Sequence, residues 1–481
     1  MTRPSVSQAE AWRPDELRRL AEAWDQTARA LHVHLRGAVA VLPDAWIGAS
    51  ADEAGARLRA FVARGEGVAR ALVLAAVAAR DGADQLTGAQ RRVADLVGLA
   101  RRDGFRVGDD GSVVPDHPPS SLLILLSGSD VQVANDLLDV RAQDLSARIG
   151  AALDRLGDAD ADAARDVDEA FGAAPTESDA TGPWAEQTAA NRTAIAQAIL
   201  EQSPHERNAK QHITFYQSLL GEVDDPAGSG RRVDRQILAF DPEREVLVEL
   251  NGDLGLAKSV AVLVPGMNTT VEGSAATTRT ARQFVTGSGG DVAAITFLGG
   301  PFPHDENIAV ALTEATDPRF ALAMAPRLVE FSHDVDQVVD GTGRHIPVTY
   351  VGHSYGGAIL GTAEALGLTA DRTVYVAAAG AGFGVDDPAD WHNGNPDVLR
   401  FSMTAPGDPI QLVQGIPGGP HGADPDDMPG VVHLATGRYD DGRLMAGPRA
   451  HTDVINWVES DSWRTVLAVI TGDRDRIQLA G

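Results

Sequence analysis

From about Arg231 onward the chain changes rhythm, and that change limits the available folds more than any other feature. Short apolar, β-rich runs occupy 236–240, 246–250, 259–264, 292–297, 346–351, 373–377, 398–403 and 431–434. Helical patterns separate most of them after the third. Two early strands followed by alternating helices and strands predict a mostly parallel sheet of about eight strands flanked by helices. Several runs are nearly continuous in apolar residues instead of alternating, which fits strands buried on both faces.

The first part of the chain has a different period. Leu17, Leu20, Trp24, Leu31, Leu35 and Val39 recur at spacings of three, four or seven, which predicts one amphipathic helix over 8–42. Pro43 and Asp44 should stop it before a turn containing Trp46, Ile47 and Gly48. A second helix should run from about Ser50, with Glu53 completing a capping box, to about Arg102. Glycines at 65, 67, 82 and 88 weaken its regularity. Residues 104–114 read as a hairpin, and 131–171 as helix again. The acidic stretch 158–169 lacks the glycine of a calcium loop and reads as a solvated helix face. Residues 172–183, GAAPTESDATGP, read as a linker. The expected organisation is an N-terminal all-α part, with a helical hairpin over 1–108 and a helical extension and linker over 109–182. An α/β domain over 183–481 completes it.

Composition narrows the partners. A net charge of −27 over 481 residues argues against nucleic acid or an anionic membrane. The charge is uneven, +3 over residues 1–106 and −30 over the rest. With no cysteine, disulfides, thiolate zinc sites and a cysteine nucleophile are excluded. The N-terminus shows no apolar signal core, and the longest apolar run, 71–79, is too short to span a bilayer. The expectation is a cytoplasmic protein without a transmembrane segment, cofactor or metal. His32 and His34 lie two apart on a helix and point to different faces, so they make no metal pair.

The chemistry centres on Gly352-His353-Ser354-Tyr355-Gly356. Such a G-x-S-x-G is weak by itself, but here it follows a strand and precedes a helical run. That is the context of a nucleophile elbow. The turn strains the serine backbone and crowds the positions two residues away, where Gly352 and Gly356 relieve collision. A serine needs a base to take its proton and an acid to orient that base, and on such a sheet they follow in the order Ser, acid, His. Asp408, after the strand at 398–403, fits the acid, with Asp386 and Asp387 as alternatives. A turn-forming role before Pro409 is the competing account of Asp408. For the base, His392 precedes the acid and His433 lies inside a strand. His451, in a loop after the last strand and directly before a helix over 452–470, fits best, with His421 as the alternative. Oxyanion donors are expected from the backbone N–H of Tyr355 and, after the strand at 259–264, of Met267. Asn268 could add its side-chain amide.

NGDLGLAKSVAVLVPGM, YVGHSYGGAILG, HGADP and the late His451 together resemble an uncharacterised actinobacterial α/β-hydrolase family often preceded by WxG-like helical domains. The resemblance covers about 184–481 and implies an α/β-hydrolase fold with a Ser354–Asp408–His451 triad. The two long helices around Trp46-Ile47-Gly48 are similar to WxG hairpins of type VII secretion systems. Their Tyr-x-x-x-Asp/Glu export signal is missing, since none of the five tyrosines has an acid four residues on.

The function expected is hydrolysis of a small carboxylic ester through an acyl-enzyme on Ser354. Two alternatives stand beside it. Either the helical part serves chiefly to bind a helical partner or a second copy and carries an idle or effector hydrolase, or the acyl group passes to an alcohol instead of water.

Overall fold

The computed structural model describes residues 3–39, 47–172, 184–203, 207–304, 316–416 and 419–480. The chain divides into two units, 1–178 with 196–221 and 179–195 with 222–481.

In the first unit the apolar stripe over 8–42 forms two helices, α1 (Val6–Ala11) and α2 (Pro14–Val39). Pro14 causes the division. It lacks an N–H and disfavours helical backbone at Arg13, so it begins a helix and cannot continue one. Helix α3 (Ala49–Arg102) then runs for 54 residues. Its glycines do not break it, because two of them are contacts. A Cβ on Gly65 would lie 2.6 Å from a Leu35 methyl, and one on Gly82 would lie 2.6 Å from the Ala163 Cβ. Small residues there let α2 and α5 (Val131–Gly172) pack closely on α3. The core of this bundle includes Leu86, Val93, Leu96, Leu145, Ile149 and Leu153. Between α3 and α5 come a hairpin of β1 (Phe105–Val107) and β2 (Val113–Pro115) and the short α4 (Ser121–Leu126). The acidic stretch 158–169 lies on α5 with Asp158, Asp160, Asp162 and Asp168 exposed and Ala159 and Ala163 buried, a solvated face. Pro43, Asp44, Trp46 and the linker residues 173–183 fall outside the described residues. Helices α6 (Ala185–Glu201) and α7 (Ala209–Leu220) are additions that the sequence reading did not contain.

In the second unit all eight expected strands form. After a small ribbon of β3 (Glu222–Asp224) and β4 (Arg232–Asp234) come β5 (Gln236–Asp241), β6 (Val246–Asn251), β7 (Ser259–Val264) and β8 (Val292–Gly299). They continue with β9 (Val348–His353), β10 (Arg372–Val376), β11 (Leu399–Met403) and β12 (Val431–His433). The sheet order is β12-β11-β10-β9-β7-β8-β6-β5. β6 runs antiparallel to both its neighbours, and the other seven strands of this sheet share one direction. Every residue of β7 and β8 is buried, so these strands are covered on both faces. Helices α8 (Ala275–Gly287) and α12 (Asp461–Thr471) cover one face, packing with Ala261, Leu263 and Val351, and Phe284 stacks on Trp463 at 5.4 Å. Val260, Val262 and Tyr350 alternate with those residues and face the other side. There α9 (Arg319–Gly341) and α10 (Tyr355–Ala365) pack together. Edge strand β5 is shielded by α6, where Gln187 and Asn191 side-chain amides donate to the carbonyls of Leu238 and Ile237 at 2.6 and 2.9 Å. Among the described residues no helix is long and apolar enough to cross a membrane.

One expected helix is divided. The pattern over 452–470 gives α11 (Ala450–Asn456) and α12, separated by a turn in which Glu459 has φ 70°. The Ser460 hydroxyl accepts from the Trp463 N–H at 3.2 Å and so starts α12 afresh. His451 therefore stands in the first turn of a short helix, not in a loop.

Candidate active site

In a parallel sheet the loops leaving the C-terminal strand ends converge, and four of them build this site. The turn between β9 and α10 holds Ser354 at φ 56° and ψ −121°, a conformation that an L-residue keeps only when its surroundings enforce it. Three hydrogen bonds do so. The Ser354 N–H donates to Val376 O at 3.0 Å, and its carbonyl accepts from Gly357 N at 3.0 Å and Ala379 N at 2.9 Å. A Cβ on Gly352 would lie 2.6 Å from the Gly356 carbonyl oxygen, and one on Gly356 would collide with the carbonyl oxygens of Val264 and Pro265. Both glycines are therefore required by backbone that cannot move aside.

His451 reaches this turn from α11. Its Nε2 lies 3.0 Å from Ser354 Oγ, and its Nδ1 lies 3.0 Å from each carboxylate oxygen of Asp408. With Nδ1–H donating to the carboxylate, the Nε2 lone pair is left to accept the serine proton. Asp408 is only 2% exposed and follows β11. One of its oxygens also accepts the Ile410 N–H at 2.9 Å, capping the turn that Pro409 opens. The turn-forming and imidazole-orienting accounts of Asp408 thus describe one carboxylate.

The loop after β7 closes against the elbow. A Cβ on Gly266 would lie 2.8 Å from Ser354 Cβ, so the chain passes where only glycine fits. The Asn268 N–H bonds Pro303 O at 2.8 Å and the Thr269 hydroxyl bonds Gly266 O at 2.8 Å, which fix Met267 between them. Tyr355 is the first residue of α10, where helical N–H groups lack an intrahelical acceptor. Among the described residues neither the Tyr355 nor the Met267 N–H donates to a protein acceptor.

The remaining candidates lie apart from this line. His421 is buried, and its ring meets the Tyr355 ring edge-on at 5.3 Å. The HGADP segment around it straps the loop after β10: Gly382 and Ala381 donate to His421 O and Ala423 O at 2.8 Å each, and Ala423 donates to Val385 O at 2.8 Å. Asp386 is exposed, and Asp387 caps the turn at 388–390. Asn268 lines the cavity beside Met267. The sequence reading passed over His353. Its Nε2 lies 2.7 Å from the carbonyl oxygen of His451, and its place directly before Ser354 was the available signal.

A cavity of about 510 Å³ opens beside Ser354. Leu263, Val351, Ile410, Val413 and Ile455 supply apolar wall, and Thr277, Thr280 and Asn456 supply neutral polar groups. Among the described residues no lysine or arginine lines it. Among the described residues no cluster of three or more His, Asp or Glu side chains could hold a metal ion.

The chain matches a family model described as alpha/beta hydrolase over residues 241–417, a span containing β6 to β11, Met267, Ser354 and Asp408. It is 39% identical over 110 residues to uncharacterized proteins of Mycobacterium bovis and Mycobacterium tuberculosis. That match covers 23% of this chain and 34% of each relative, so the chain spans about a third of the length of these curated relatives. Among solved structures, an esterase from Pyrobaculum calidifontis is similar at 13% identity, covering 58% of this chain and 95% of that one with a TM-score of 0.25. A Thermus thermophilus protein is similar at 13% identity, covering 47% of this chain and 98% of that one with a TM-score of 0.23. The family match and the sheet order establish an α/β-hydrolase fold, here with a helical N-terminal region.

Proposed function

We propose that the protein hydrolyses uncharged carboxylic esters through an acyl-enzyme on Ser354. The observation that carries this reading is the continuous Ser354–His451–Asp408 hydrogen-bonded line, met at a strained elbow. Ser354 Oγ attacks the ester carbonyl carbon while His451 Nε2 takes its proton. The oxyanion faces the N–H groups of Tyr355 and Met267, and the Asp408 carboxylate stabilises the imidazolium. Collapse breaks the ester C–O bond, and His451 returns the proton to the leaving alcohol. Water then attacks the acyl group with the same base, releasing acid and free serine. A cavity whose described lining carries no lysine or arginine suits a neutral acyl chain better than a carboxylate-bearing one. Labelling by a fluorophosphonate, with turnover of p-nitrophenyl butyrate, tests this. Both should be lost in Ser354→Ala, and activity unchanged in that variant would overturn the reading.

A second reading concerns the helical unit, for which we propose self-association. Leu122, Leu125, Leu126, Leu137 and Val140 are all more than half exposed on α4 and α5, two helices in contact with each other, and this concentration of exposed apolar side chains favours an association surface. Light scattering of the full chain should show a dimer that Leu125→Asp with Leu137→Asp dissociates. A monomer at all concentrations would remove this reading.

A further inference from the structure

His451 sits near the start of α11, a helix of seven residues. Helices that short are marginal by themselves, so the position of the imidazole depends on what holds the backbone beneath it. One such contact comes from the elbow. His353 Nε2 lies 2.7 Å from the His451 carbonyl oxygen, and the two rings lie 5.2 Å apart between centroids. A carbonyl oxygen has no proton to give, so Nε2 carries the hydrogen and donates it. The acceptor can take this bond beside its helical one, because a carbonyl oxygen has two lone pairs.

We propose that His353 is a positioning residue for His451, fixing the backbone of the base through the Nε2–H to carbonyl bond. The inference rests on the hydrolase reading of Ser354 and His451. It places the donor in the residue next to the nucleophile, so one turn of chain sets the serine and steadies the group that activates it. The bond must also survive turnover, during which His451 becomes an imidazolium. A charged His353 would oppose that step across 5.2 Å. Burial, and then the neighbouring His451 ring, lower the His353 pKa to about 4, with the hydrogen bond to the His451 carbonyl and then Asp408 acting in the opposite direction. The ring therefore stays a neutral Nε2–H donor while the base cycles.

The test compares His353→Leu, which removes the donor, with His353→Gln, whose amide presents an N–H near the same place. A loosened base misplaces the proton acceptor without altering the acyl cavity. For His353→Leu the expected result is kcat lower by roughly 30-fold with KM within about twofold, and fluorophosphonate labelling slowed in proportion. His353→Gln should recover about tenfold of that loss. Nitrogen-15 NMR of the unsubstituted protein and of Ser354→Ala should show His353 as the neutral Nε2–H tautomer at pH 6 to 8. Any of three results would overturn the proposal: equal impairment of both His353 variants, a loss confined to KM, or an Nδ1–H tautomer. If the unsubstituted protein neither labels nor cleaves ester, the hydrolase reading fails, and the tautomer spectrum still decides whether the tether exists.

Discussion

The two units use glycine for opposite purposes. In the helical unit, a Cβ on Gly65 would meet the end of the flexible Leu35 side chain. In the α/β unit, a Cβ on Gly356 would meet the carbonyl oxygens of Val264 and Pro265, which are locked into the end of β7 and its loop. The first glycine permits close packing that a small adjustment could replace. The second permits a backbone path with no alternative. Tolerance to substitution is thus set by what the new atom meets, side-chain tip or sheet backbone, and not by burial alone.

The largest effect expected in either unit is chemical. Ser354→Ala should lower kcat by about 10⁴-fold or more while leaving the melting temperature nearly unchanged, because alanine occupies the same strained turn. Ester turnover and calorimetry on one preparation check this. A large loss of stability there would mean that the hydroxyl supports the turn.

Next comes the comparison itself. Gly356→Ala should destabilise the α/β unit by about 3 kcal/mol or more and abolish labelling, since the turn must open to admit the methyl group. Gly65→Ala should change stability by no more than about 1 kcal/mol, because the gain in helix propensity offsets the displacement of Leu35. Labelling should be unaffected. Urea unfolding of the two variants measures the contrast, and equal losses would break it.

The pH dependence sharpens the picture inside the α/β unit, where two groups act in opposite senses. His353 is lowered to about 4, chiefly by burial, so the unfolded chain binds its proton first. Its contribution to stability is lost as pH falls from about 6.5 through 4. Asp336 is raised to about 6, chiefly by burial and further by Asp340 and Asp371. The folded chain binds that proton more readily, so stability is lost as pH rises through 6. The two trends oppose each other between pH 4 and 6, and the unsubstituted protein should show a shallow profile there. Asp336→Asn should stabilise the protein by about 1 kcal/mol at pH 8, allowing for screening of a half-exposed group, and leave stability at pH 4 little changed. Chemical denaturation at both values decides it, and a uniform shift at the two would contradict the assignment.

How much of this could be read in advance differs by element. The eight sheet strands were legible because parallel strands buried on both faces need nearly continuous apolar runs, and β7 and β8 come close to that with only Ser259 and Thr296 polar. The elbow was legible because its two glycines flank Ser354 at two residues on either side, between a strand and a helix, and a sequence displays that spacing directly. The Val264 and Pro265 carbonyls that demand Gly356 belong to the fold. The break at Pro14 was also present in the sequence, yet the apolar stripe continues across it in register and conceals it. The long α3 was legible in spite of its glycines. Its glycines weaken a helix in isolation but serve one that packs on Leu35 and Ala163.

What the sequence determined by itself is therefore local: the period of each segment, the glycines of the turn, and the order in which a serine, an acid and several histidines follow one another. Tertiary structure decided which of them meet. Ser354 and His451 are 97 positions apart, and His451 and Asp408 are 43 apart. Position after the last strand favours His451 over His421 in the sequence, but only the fold shows that His421 packs on the Tyr355 ring instead. No local pattern reveals that His353 reaches across 98 positions to the His451 carbonyl. Periodicity records the environment that each residue needs along its own strand or helix. Contacts between strand ends arise only when the sheet has formed, because the sheet's order sets which loops converge.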